Sequence, residues 1–286
     1  DLDEQLALVT ELGLKYIELR TAWNVNALDL DDAQLRRAKQ ALDAAGVKVS
    51  SIGSPIGKIK ITDDNGPHLE RMAHAVKVAQ FFEAPYMRIF SYFIDESENP
   101  DDYRDEVITR MRDLTSVAEG SGITLIHENE KEIYGDIPRR CLDIVQAVDS
   151  PTLKLAWDNA NFVQCGVHPF TDGYAMLSPH VDYLQVKDAR FADSVVVPAG
   201  VVSGQPGEVS QKYAKNCERY LFQRPDDAIH RGYDGQAEAD IALPDSFMSN
   251  FAPLVAADAR ELVDDAIGFN AFTAPMQRLC ATASWC

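Results

Sequence analysis

Apolar positions switch between two rhythms along roughly the first two hundred residues. From Leu2 to Leu12 they recur at helical spacing, Gly13 supplies a stop, and Lys15-Tyr16-Ile17-Glu18-Leu19-Arg20 reads as a strand. The unit then repeats. Asp31-Asp32 starts a helix that runs to Ala45, Gly46 ends it, and Val47 to Ile52 is the next strand. A helix from Pro67 to Phe82 leads to a strand from Tyr86 to Phe90. Another, from Asp102 to Glu119, leads to the strand Ile123 to Glu128. The spacing further predicts a helix over Pro138 to Ala147, a strand over Leu153 to Trp157, a short helix over Thr171 to Leu177 and a strand over Tyr183 to Lys187.

Strands that alternate with helices in this way form βαβ units and a parallel sheet, either open and doubly wound or closed into a barrel. The barrel is favoured. No GxGxxG turn follows a strand, and polar residues stand at the ends of many strands rather than at one switch point. A helix precedes the first strand, so the barrel's usual first strand is expected to be missing or to lie upstream of Asp1. After Val195-Val196-Val197-Pro198-Ala199-Gly200 the rhythm breaks into a polar segment to Arg231. Gly232-Tyr233-Asp234-Gly235 then leads to a weak strand over residues 236–243, and a closing helix is expected over residues 251–267. The expectation is one domain over residues 1–286, a (β/α)8 TIM barrel whose last part is atypical.

Two strands end on carboxylates. Leu125-Ile126-His127-Glu128-Asn129-Glu130 is followed thirty residues on by Leu155-Ala156-Trp157-Asp158-Asn159-Ala160-Asn161-Phe162. The carboxyl ends of barrel strands converge on one rim, so Glu128 and Asp158 are expected side by side over a common pocket, an arrangement that invites a divalent metal. Asp158 also reads as the cap of the following helix. His127 should point away from Glu128 in a regular strand. Trp157 and Phe162 read as pocket wall or as core. His68 and His180 read as capping or surface groups, and His168 as a loop residue near the rim.

Composition narrows the partners. The 286 residues carry a formal charge of −18, which opposes a phosphate backbone and argues against nucleic acid. No run approaches the ~18 apolar residues of a membrane span. Cys141, Cys165, Cys217, Cys280 and Cys286 form no CxxC pair, so reduced cytoplasmic thiols are expected. The acidic start carries no signal-peptide pattern and reads as truncated rather than targeted.

From about Asp3 to Gly200 the chain resembles the sugar phosphate isomerase/epimerase family of xylose isomerase-like barrels. The resemblance rests on Gly53-Ser54-Pro55-Ile56-Gly57-Lys58, Arg88-Ile89-Phe90-Ser91, His127 to Glu130, Asp158 to Phe162 and Val186-Lys187-Asp188-Ala189. It implies one divalent ion, Mn²⁺ or Mg²⁺ ahead of Zn²⁺, held by a Glu, an Asp, a His and a second Glu from successive strand ends. Glu128 and Asp158 match the first two. Gln185 stands where the His is expected, and Asp240 takes the second Glu position, with Glu238 on the same side of its strand.

What the resemblance implies for the reaction is isomerisation or epimerisation of a sugar, keto-sugar or related hydroxy-carbonyl compound. The proton transfer would pass through an enediolate, with Glu128 and Asp240 as the acid–base pair. Arg88, Lys187, Asn161 and His168 are the candidate substrate-binding groups, Lys187 reading equally as an internal ion pair. An inosose-type dehydratase on the same scaffold is the alternative, and so is a weakened barrel that only binds a sugar-like ligand. A small-molecule substrate and a homodimer are the expected partners, with neither nucleic acid nor membrane.

Overall fold

Six parallel strands stand side by side in the order in which the chain makes them: β1 (Tyr16–Leu19), β2 (Lys48–Ile52), β3 (Tyr86–Ile89), β4 (Thr124–Glu128), β5 (Leu153–Asp158) and β6 (Val181–Gln185). They belong to a computed structural model that describes residues 2–11, 14–185 and 188–197. Helix α1 (Leu2–Glu11) precedes the sheet. The crossovers carry α2 (Asp32–Ala45), α3 (Asn65–Phe81), α4 (Arg104–Ala118), α5 (Pro138–Val148) and the short α6 (Asn159–Gln164). A doubly wound sheet reverses its strand order at a switch point. Here the order never reverses, so the strands form the wall of a (β/α) barrel. The strand expected over residues 236–243 and the helix expected over 251–267 lie outside the described residues.

Local chemistry accounts for the element boundaries. Asp31 caps α2 through its Oδ1, which accepts the backbone N–H groups of Ala33 and Gln34 at 2.8 Å, while the Gln34 side chain accepts the Asp31 N–H at 3.0 Å. Gly46 ends the helix at φ 67°, the left-handed conformation that glycine adopts without steric cost. In α4 the buried Val107, Met111, Leu114 and Ala118 form a stripe at helical spacing. That stripe packs in one hydrophobic core with Leu19, Val49, Met87, Ile89, Leu125, Leu155 and Trp157 from the outer face of the strands.

The inner face is different. Tyr86, Ile126, Ala156 and Tyr183 form a separate apolar layer. The Tyr183 hydroxyl lies 3.0 Å from Ser50 Oγ. Strand side chains alternate, so the next inward residue along each strand stands one level nearer the carboxyl ends. Those residues are Arg88, Glu128, Asp158 and Gln185, and Glu18 of β1 joins them.

Two ladders that the sequence reading did not contain flank the wall. Thr21–Ala22 pairs with Val25–Asn26 across a two-residue turn, Trp23 and Asn24 taking φ of 50° and 62°. Asp188–Ala189 pairs antiparallel with Val196–Val197. His68 corrects its reading as a surface or capping group. It is buried in α3, and its Nε2 accepts the Gly57 N–H at 2.8 Å. Gly57 has φ +88° and passes so close to the Phe90 carbonyl that no side chain fits there. No described helix is long and apolar enough to cross a membrane.

Candidate active site

Glu128 and Asp158 end neighbouring strands, and both are buried. Their spacing is held from several sides. Asn129 makes a reciprocal clasp: its Oδ1 accepts the Asp158 N–H and its Nδ2 donates to the Asp158 carbonyl, both at 2.8 Å. Asn161 Nδ2 donates to the Asn129 carbonyl at 2.8 Å and to Glu128 Oε1 at 3.2 Å. The Asn161 backbone N–H donates to Asp158 Oδ1 at 2.9 Å. Asp158 is thus the N-cap of α6, as one reading of it in the sequence has it, as well as an inward-facing acid.

Arg88 lies between two acids. Its Nη1 is 3.0 Å from Glu128 Oε2 and 3.1 Å from Glu18 Oε1. Burial works against the guanidinium charge, and Glu128 and Glu18 outweigh it, so the Arg88 pKa stands above its ordinary value. For Glu18 burial dominates and raises the carboxyl pKa, with Arg88 opposing the shift. Arg88 Nε is buried without a hydrogen-bond partner. The Phe90 ring sits beside this cluster, 5.2 Å from the Arg88 guanidinium and 4.2 Å from Lys58 Nζ. Lys58 in turn pairs with Glu130 at 3.1 Å.

Gln185 stands directly across the β5–β6 ladder from Asp158. Its Nε2 donates to Glu18 Oε2 at 2.6 Å. Glu18 was not among the candidates drawn from the sequence, although a charge between Ile17 and Leu19 in a strand buried on both faces was a signal. His127 points to the opposite face, as expected. Its Nε2 lies 2.9 Å from Ser91 Oγ, which also accepts the Gly135 N–H at 2.7 Å, and burial lowers its pKa to about 4. Trp157 packs in the core against Phe162 and Tyr174, with ring centroids 5.0 and 5.6 Å away.

The structure therefore brings together Glu128, Asp158, Gln185, Arg88 and Asn161. His168 is exposed and stacks on Phe191 with centroids 4.1 Å apart, its backbone N–H held by Asp172. Lys187, Glu238 and Asp240 lie outside the described residues.

Among the described residues no three His, Cys, Asp or Glu side chains form a group that could hold a metal ion. With the amide carbonyl of Gln185 added, Glu128 and Asp158 make an all-oxygen donor set. Such a set fits a hard ion such as Mg²⁺ or Mn²⁺ and suits a softer transition metal less well.

Comparison with known proteins divides the chain. Residues 6–206 match the family model described as xylose isomerase-like TIM barrel. Residues 180–284 match a second, the PEPCK-like middle domain. The PPi-type phosphoenolpyruvate carboxykinase of Propionibacterium freudenreichii subsp. freudenreichii is 47% identical over 97 residues, which are 34% of this chain and 8% of that protein. The chain thus spans less than a tenth of the length of the curated relatives it matches. Among solved structures, a xylose isomerase-like TIM barrel protein from Mycobacterium smegmatis in complex with magnesium is similar at 20% identity and TM-score 0.58, covering 96% of this chain and 89% of that one. D-psicose 3-epimerase with D-tagatose from Clostridium cellulolyticum H10 is similar at 13% identity and TM-score 0.57, covering 97% and 93%. Asp240 falls beyond the barrel match and inside the second one.

Proposed function

We propose that this chain, which belongs to the xylose isomerase-like TIM barrel family, is a divalent-metal-dependent isomerase or epimerase of a sugar, keto-sugar or related hydroxy-carbonyl compound. The observation that carries this reading is the inner layer of Glu128, Asp158 and Gln185 on three successive strand ends, with Arg88 against Glu128. The bound magnesium named for the M. smegmatis protein and the epimerase activity named for the C. cellulolyticum protein support it.

Glu128, Asp158 and Gln185 would hold the ion. When bound, it supplies charge that draws electron density from a substrate carbonyl and acidifies the adjacent C–H. Glu128 is the group to take that proton. Asn161 fixes its Oε1 and Arg88 lies on its Oε2, so the carboxylate is oriented before substrate arrives. Arg88 also offers the substrate a buried N–H at Nε, matched to a hydroxyl, carbonyl or carboxylate oxygen. Asp240 is the sequence-based candidate to return the proton on the other face. An Asp240→Asn variant that keeps full activity would remove it and leave Glu128 as the base.

A dehydratase is the second reading. It uses the same proton abstraction on a substrate that carries a hydroxyl one carbon further on, and a guanidinium such as Arg88 suits a carboxylate there. The likeness to PPi-type phosphoenolpyruvate carboxykinase spans too little of those proteins to lend this chain their activity.

The test pairs binding with exchange. Metal-stripped protein is titrated with Mn²⁺ and Mg²⁺ by calorimetry, and keto-sugars are incubated with loaded protein in D2O. One-site binding and deuterium uptake next to the carbonyl are expected in the wild type. Glu128→Gln should cost at least ~10³-fold in exchange, or ~4 kcal/mol of barrier. No metal binding at millimolar concentration would defeat the reading.

A further inference from the structure

The cluster holds one acid that the proposed chemistry does not use. Glu18 sits at the third position of β1, with its side chain 3% exposed, and reaches across the barrel interior to Gln185 on β6. The geometry points to Glu18 as the positioning residue of the metal site, holding the Gln185 amide with its nitrogen turned inward so that the carbonyl oxygen is left for the ion. This rests on the metal-dependent reading above and extends it to a residue outside the ligand set.

Donors and acceptors decide how the amide sits. A primary amide is nearly symmetric in shape, and only its partners decide which end faces which way. A carboxylate accepts and does not donate. Glu18 receives Arg88 Nη1 on Oε1 at 3.1 Å and Gln185 Nε2 on Oε2 at 2.6 Å, so both of its oxygens act as acceptors. The end of Gln185 toward Glu18 is –NH2, which suits these two acceptors, and the oxygen takes the other branch of the amide. If the amide were reversed, two oxygens would face one another in a buried space, and a donor would be offered to a cation.

A metal-bound imidazole is commonly oriented by giving its second N–H to a carboxylate. Here a carboxamide and a carboxylate make the same arrangement, with the amide oxygen in place of the ring nitrogen.

A second feature makes room for the acid. Gly53 follows β2, and a Cβ built there would lie 2.8 Å from Glu18 Oε1 and 3.0 Å from Arg20 Cβ. Any larger residue at 53 presses on the carboxylate that orients Gln185. The space is kept at the first position of the Gly53-Ser54-Pro55-Ile56-Gly57-Lys58 motif.

The experiment is a double-mutant cycle read by metal affinity. Mn²⁺ is titrated into metal-stripped wild type, Glu18→Gln, Gln185→Leu and the double variant, with circular dichroism and thermal melting confirming that each is folded. Glu18→Gln keeps the shape but leaves one acceptor oxygen where Arg88 and Gln185 each had their own, and the Mn²⁺ Kd is expected to rise at least ~10-fold. In the Gln185→Leu background the same change should move Kd less than about twofold, because its route to the metal is gone.

Equal Kd for wild type and Glu18→Gln overturns the assignment, and so do effects that multiply. Multiplying effects would mean that Glu18 acts through Arg88 and Glu128 instead. Absence of Mn²⁺ binding by the wild type would sink the metal reading itself, a result distinct from these two.

A metal-free readout covers that case. In the 15N–1H spectrum the Gln185 side-chain amide is expected far downfield in wild type, and it should move on Glu18→Gln. An ordinary, unmoved resonance would overturn the orientation whether or not metal binds.

Discussion

The two faces of one sheet set opposite problems and meet them with different chemistry. On the outer face Leu19, Met87, Ile89, Leu125, Leu155 and Trp157 meet the helices, where burial of apolar area is the main favourable term. On the inner face the last level holds Glu18, Arg88, Glu128, Asp158 and Gln185, where burial alone would be ruinous and every charge needs a partner. Consecutive residues of the same strand serve both: Leu125 faces the helices and Ile126 the interior, His127 the outer side and Glu128 the site. The outer face carries stability, and the inner face buries polar groups that hold one another in place.

Substitutions can break this division or sharpen it. The largest stability effect is expected at Arg88. Arg88→Met leaves Glu18 and Glu128 buried without their shared cation, and chemical denaturation should show a loss of about 3–5 kcal/mol. A smaller loss would mean that water or a bound ion already compensates the acids. Leu125→Ala empties a fully buried position on the outer face and should cost about 2–5 kcal/mol, while Mn²⁺ affinity of the folded fraction stays unchanged. If that substitution altered metal affinity as strongly as Glu18→Gln does, the two faces would not be separable.

The smallest effect is a pH dependence at His68. Burial, with Arg71 and Arg110 nearby, lowers its pKa below the ordinary 6.5, and its Nε2 must stay unprotonated to accept the Gly57 N–H. The unfolded chain therefore takes up the proton first. Stability from this group is complete above about pH 6.5 and is lost as pH falls below it, until the folded-state pKa is passed. The expected loss is on the order of 1 kcal/mol, measured as a fall in melting temperature between pH 7 and pH 5 that His68→Gln flattens.

Much of the wall was legible because each strand and helix is long enough to show its period. Helix α2 runs over Asp32–Ala45, and its cap Asp31 and stop Gly46 stand in the sequence as signals of their own. Glu128 and Asp158 could be found because each closes an apolar strand. The rest lacked such marks. Each ladder strand beside the wall is two residues long, too short for alternation to register, and Trp23 is not a residue that announces a turn.

Helix α6, of six residues, is likewise too short to show a period and is marked in the sequence only by its cap Asp158. Glu18 was obscured by its charged neighbours Lys15 and Arg20, which make β1 look half-exposed. His68 was misread because the first turn of a helix is commonly solvated, and only the Gly57 loop folding over it creates its burial. The fourth ligand expected at Asp240 depended on extending a barrel pattern into residues that match the PEPCK-like middle domain.

Asn129 gives the acid pair a property beyond its chemistry. Its side chain completes what amounts to one more rung of the β4–β5 ladder, made by an amide that is not part of the backbone. The offset between the two strand ends is thereby held by a side chain as well as by the main chain. In the proposed metal site, an asparagine that need not touch the ion would help set how far apart its two carboxylate ligands stand.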